Sequence, residues 1–171
     1  STRAHREEGV LSGEIDLSTS TMSRLDSLNI GLRGNVSSLN AQIQAERNKL
    51  NKPTTNTFTT AQNQYNNYNN QINATQRNLA NAKNAIDSAI YTSEITRLKD
   101  LRRPHWRTME NEKKAWNDKI NKRIKELEGE RSIAEGQIAQ NTTDYVRESE
   151  RLAHNRDTRD SLATERGKII Q

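Results

Sequence analysis

Arg97-Leu98-Lys99-Asp100-Leu101-Arg102-Arg103-Pro104-His105-Trp106-Arg107-Thr108-Met109 is the stretch whose reading decides the fold. Long polar segments with helical periodicity flank it, and it holds the one proline that interrupts them. Proline lacks a backbone donor and biases the residue before it, Arg103, away from helical geometry, so a helix is predicted to stop there. The helical period resumes at Met109 and Trp116. The pattern therefore predicts a helical hairpin with its tip at about 102–108. Charge gathers around the same place. Between Arg97 and Lys125 eleven Lys/Arg stand against four Asp/Glu, a surplus of seven in a chain of net charge +5, which leaves −2 for the remainder.

Composition narrows the class. Only 30% of the 171 residues are hydrophobic and 4% aromatic, with a mean hydropathy of −1.09. A compact globule of this length needs a broader apolar supply, because its interior is a volume rather than a seam. Disorder or coiled coil remain, and periodicity chooses between them. Without cysteine there is no disulfide, thiol catalysis or cysteine zinc site. No apolar run approaches the roughly 18 residues of a membrane span, and no signal-peptide pattern is present. The chain begins at Ser1 without Met and ends on Ile169-Ile170-Gln171, which reads as a piece of a longer protein.

Working outward, residues 1–20 are weakly patterned, punctuated by Gly9 and Gly13, and are expected to be an irregular N-terminal segment. Thr19, Ser20 and Thr21 supply hydroxyls suited to a helix start. From Met22 a heptad holds: Met22, Asn29, Val36, Ile43 and Leu50 in one row, Leu25, Leu32, Leu39 and Glu46 in the other. Asn29 is a polar registry residue on that seam. Pro53, followed by Thr and Asn, is turn chemistry. A second heptad runs through Phe58, Tyr65, Ile72, Leu79, Ile86 and Ser93, with Ala61, Tyr68, Thr75, Ala82 and Ala89 in the alternate row. The third segment places Trp116, Ile120, Ile124, Leu127, Ala134, Ile138, Tyr145 and Leu152 on its apolar face. There Trp116, Leu127, Ile138 and Ser149 recur every eleven residues, a period that implies little supercoil. Beyond Leu152 the pattern thins to Leu162, Ala163 and Ile169-Ile170.

These patterns predict an all-α fold: an elongated antiparallel coiled-coil hairpin over 21–171, with helices at about 21–51, 58–102 and 108–170. Folding back at Pro53 as well as at Pro104 would make the N-terminal helix part of a three-helix base, with a two-helix tip over roughly 87–123.

Chemistry is sparse. His5, His105 and His154 share no ligand-like spacing and read as surface histidines. Asn141-Thr142-Thr143 fits a glycosylation triplet and is a weak spot in the helix. No phosphate cradle or nucleophile context is present, so neither enzyme activity, a catalytic residue, a metal nor a cofactor is expected. One functional reading is a structural coiled-coil spacer. Another is a basic arm that binds nucleic acid, in which Arg102, Arg103, Arg107, Lys113, Lys114, Lys119, Lys122 and Arg123 neutralise phosphates and Trp106 stacks.

The third comes from resemblance. Leu79-Ala80-Asn81-Ala82-Lys83-Asn84-Ala85, the run Leu101-Arg102-Arg103-Pro104-His105-Trp106 and the heptad arm after Trp116 together resemble the central receptor-binding domain of colicin-type bacteriocins, over roughly residues 63–152. The resemblance implies a secreted toxin's attachment domain, whose hairpin tip grips a TonB-dependent outer-membrane receptor of a Gram-negative cell. It places Arg102, Arg103, Pro104, His105, Trp106 and Arg107 at the receptor-gripping tip. No small-molecule substrate is expected, and the chain is expected to be a monomer. Independently of the resemblance, positive charge at the tip would speed encounter with an acidic receptor mouth or lipopolysaccharide. The helix before Pro53 has no counterpart in a plain two-helix hairpin.

Overall fold

The structure is a computed structural model that describes residues 2–170. Three helices make up the all-α fold, and no strand occurs among the described residues: α1 (Thr2–Arg47), α2 (Asn56–Ala80) and α3 (Ala85–Ile170). The chain forms two compact units. One joins residues up to Ile43 to those from Glu126 onward, and the other is Gln44–Lys125.

In the first unit α1 packs antiparallel on the later part of α3. Glu8 pairs with Arg166 at 3.0 Å, Glu14 accepts from Asn155 at 3.3 Å, Asn29 meets Asn141 at 3.0 Å, and Asn40 accepts from Arg131 at 2.9 Å. Partner numbers fall steadily as α1 advances, which is the signature of an antiparallel seam. The heptad read from Met22 is the buried face, with Leu25, Asn29 and Ile43 buried and Met22, Leu32, Val36 and Leu39 half-buried.

The same seam continues backward, so the segment expected to be irregular over 1–20 is helical from Thr2 onward. Leu11, Ile15 and Ser18 repeat at intervals of three and four, and Ile15 and Ser18 are buried. The extension was masked in the sequence because Ser18 and Glu8 hold seam positions without being apolar. Thr19, read as a cap, instead bonds back to the Ile15 carbonyl at 2.9 Å, the intrahelical alternative open to a threonine hydroxyl.

The second unit pairs α2 with the first part of α3. Its core is Ile72, Ile95 and Leu98, with Tyr68 and Leu79 packed against it. The segment before α2 does not reverse the chain. Trp116 donates its indole N–H to the Lys49 carbonyl at 2.7 Å, Asn51 and Asn117 exchange two bonds of 2.8 and 2.9 Å, and Thr55 donates to Glu112 at 3.1 Å. Tyr68 then meets His105. Within this unit, partner numbers on α3 fall as the chain advances from Lys49 to Tyr68, so α2 runs antiparallel to the first part of α3. The expected three-helix base is therefore replaced by two-helix pairing, and the first unit contains no part of α2. Asn51 absorbs the irregularity with a φ of 63°, a left-handed conformation that asparagine tolerates better than most residues.

The hairpin turn is also displaced from its expected place at 102–108. α2 ends at Ala80, α3 starts at Ala85, and Pro104 lies inside α3. Two asparagines set this turn. The Asn81 amide caps α2 through the Arg77 and Asn78 carbonyls. Asn84 caps α3, its side chain accepting from the Asp87 amide at 2.8 Å and donating to the Asp87 carboxylate at 2.9 Å. The first bond satisfies one of the amides left free at a helix start, and the second holds the two side chains together. The break resets the heptad phase. Ile86, expected on the seam, is 73% exposed, and burial resumes at Ile95 and Leu98. Tyr145, expected on the apolar face of α3, is exposed, while Asn141 and Leu152 there are buried. The pair Ile169-Ile170 lies outside the described side chains.

Candidate functional site

The proline inside α3 costs one helical hydrogen bond, and its ring faces solvent, away from α2. Packing on both sides of it holds the helix together. Two residues before, Arg102 lies with its guanidinium carbon 5.3 Å from the centre of the Tyr65 ring and donates to the Asn69 side-chain oxygen. One residue after, His105 stacks on Tyr68 with ring centres 5.7 Å apart and planes 21° apart. A cation over an aromatic face is attracted by the ring quadrupole. These contacts tie the basic segment to α2.

A groove opens beside that seam, lined by Tyr65, Lys99, Arg102, Arg103, Trp106 and Arg107. The α3 members fall at offsets of three, four, seven and eight from Lys99, which places them on one helix face. Trp106 is 49% exposed. Arg103 meets Asp100 at 3.4 Å with both side chains largely in water, a pairing of little energetic weight. Arg97, on the next turn back, is committed elsewhere. It binds Glu94 at 2.9 Å and, through that hydrogen bond first and its charge second, holds the Glu94 carboxyl below its usual range.

Of the six residues expected at a receptor-gripping tip, the structure brings Arg102, Arg103, Trp106 and Arg107 together in this groove, on the flank of the hairpin. Pro104 points away and His105 is turned into the α2 contact. Tyr65 and Lys99 belong to the groove and were missed. Lys99 was recoverable from its helical spacing to Arg103 and Trp106, whereas Tyr65 required the α2–α3 register. Among the described residues no group of three or more potential metal ligands converges, and no helix is long and apolar enough to cross a membrane. No protein family, curated protein or solved structure matches the chain.

The arrangement can hold an anionic group between cations while an aromatic face covers its apolar side. Arginine's planar fork suits carboxylate or phosphate oxygens.

Proposed function

We propose that this chain is the receptor-attachment domain of a secreted colicin-like bacteriocin, binding a TonB-dependent outer-membrane receptor of a Gram-negative cell through the groove on α3. The observation that carries the reading is a half-exposed tryptophan set among four cations on a helical hairpin. Exposed tryptophan and arginine are the residues that most often dominate interface energy, and a local cationic surplus speeds encounter with an acidic partner surface. The resemblance of residues 63–152 to the central hairpin of colicins supplies the kind of partner. The contact lies on the flank rather than at the turn, since residues 102–107 do not form the turn. Lipopolysaccharide, with its phosphates, is a second anionic ligand for the same arginines.

The test is retention of Gram-negative outer-membrane proteins by the immobilised chain, with mass-spectrometric identification. Trp106→Ala should lower retention of the receptor more than about tenfold, the scale of one interface anchor, with helicity unchanged. Retention of nucleic acid alone would replace this reading with the basic-arm alternative. Retention of nothing would leave a spacer.

A further inference from the structure

α1 carries a second row of residues that its pairing with α3 leaves uncovered. Val10, Glu14, Leu17, Thr21, Arg24 and Leu28 repeat at alternating intervals of four and three, each one position before a residue of the buried seam. One residue is about 100° around a helix, so this row faces sideways from α3, at the angle a neighbouring helix takes in a bundle. Its large members are open to water: Val10 is 63% exposed, Leu17 67% and Leu28 46%. Three large aliphatics aligned on one face of a helix whose opposite partner is already seated need a reason beyond the α1–α3 seam.

The row is complementary to its own reversal. Turned end for end about position 19, Val10 falls opposite Leu28, Leu17 opposite Thr21, and Glu14 opposite Arg24, each pair occurring twice. The charge match is supported by the surroundings. Arg24 lines a groove with Thr21, Leu25, Asp144, Arg147, Glu148 and Arg151, in which three arginines outnumber two acids. Arg147 and Arg151 are held by their own neighbours, Asp144 at 3.9 Å and Glu148 at 3.1 Å. Arg24 is the cation left to meet an incoming carboxylate. Glu14 uses Oε2 to accept from Asn155, which leaves Oε1 able to accept a second donor. A parallel copy would set Glu14 against Glu14 and Arg24 against Arg24, which like-charge repulsion disfavours.

We propose that a second copy of this chain docks antiparallel along the Val10–Leu28 row of α1, forming a symmetric homodimer with two Glu14–Arg24 contacts. The contact is isologous, so it closes on itself and does not propagate. It is a narrow helix-on-helix interface, and the association is correspondingly weak and concentration-dependent. Under this proposal the chain self-associates, where a monomer was expected.

Sedimentation equilibrium of the whole chain tests the proposal. The weight-average mass should climb from monomer toward dimer between about 1 µM and 1 mM. Leu17→Asp should weaken association at least about tenfold, because it places a charge in the apolar row. The decisive arm uses charge. Glu14→Arg leaves only cations at the paired positions and Arg24→Glu leaves only carboxylates, so each variant alone should associate about tenfold more weakly at low salt. Mixed in equal amounts, the two should recover association to within about threefold of the original, because each interface then pairs opposite signs twice. Both positions are exposed, and circular dichroism of each variant should show unchanged helicity. A chain that stays monomeric throughout, a Leu17→Asp variant that associates normally, or a mixture no tighter than its components would each overturn the proposal.

Discussion

A buried asparagine is tolerated only when both ends of its amide find partners, and Asn29 and Asn141 satisfy that condition through each other. Asn29 accepts from Asn141 at 3.0 Å and donates to Thr142 at 3.3 Å, while Asn141 accepts from Gln137 at 2.8 Å. No buried side-chain polar atom among the described residues is left without a partner. Such a layer specifies register, because any slip sets an amide against an aliphatic side chain. Half of it was legible. Asn29 sat on a seam in the sequence, but Asn-Thr-Thr at 141–143 reads as a weak spot until α1 is laid against it. Asn29→Val should destabilise the chain by about 1–3 kcal/mol, the cost of stranding the Asn141 amide. Replacing both Asn29 and Asn141 by Leu should recover that stability or exceed it, while alternative registers become populated. Urea unfolding measures the first effect, and doubled amide resonances around Ile138 report the second.

At the scale of elements, local chemistry and seam packing gave opposite answers in two places, and packing decided one of them. Pro104 is a strong helix breaker, yet α3 passes through it because Leu98, Arg102 and His105 all engage α2 on the same face. Asn81 and Asn84 are weaker signals, but together they satisfy helix ends and so define the turn. The Asn84-Ala85-Ile86-Asp87 spacing was readable as a cap. It was missed because the heptad from Phe58 runs on through Ala82 and Ile86 without visible interruption. Pro104→Ala should raise stability by about 1–3 kcal/mol by restoring a helical hydrogen bond; a loss on that substitution would mean that the proline does form the bend. Asn84→Ala should cost about 1 kcal/mol, as removal of a helix cap does. Gly34 and Gly136 lie in helix interiors with open space around a would-be Cβ. Alanine at either should stabilise by roughly 0.5–1 kcal/mol. Thermal unfolding followed at 222 nm checks all four.

For the molecule as a whole, the sequence carried the class and most of the buried positions, because a seam leaves a one-dimensional trace at a fixed period. It did not carry which helix lies against which, since that depends on where the chain turns, and two prolines suggested turns that the packing did not make. The charge distribution was legible without any structure and still governs the last prediction. The surplus of seven between Arg97 and Lys125 falls within the second unit, on the helix that carries the groove. If that groove engages an acidic partner, encounter is steered by the whole basic segment and retention by the few residues that touch. Raising ionic strength from about 0.05 to 0.5 M shortens the screening length to a few ångströms and should slow association more than about tenfold, with a smaller effect on dissociation. Arg103→Ala with Arg107→Ala should flatten that salt dependence. Trp106→Ala should speed dissociation and leave the salt slope of the association rate as it was. Surface plasmon resonance at graded salt separates these outcomes. An equal loss of salt slope in the tryptophan variant would mean that Trp106 holds the arginines in place rather than touching the partner.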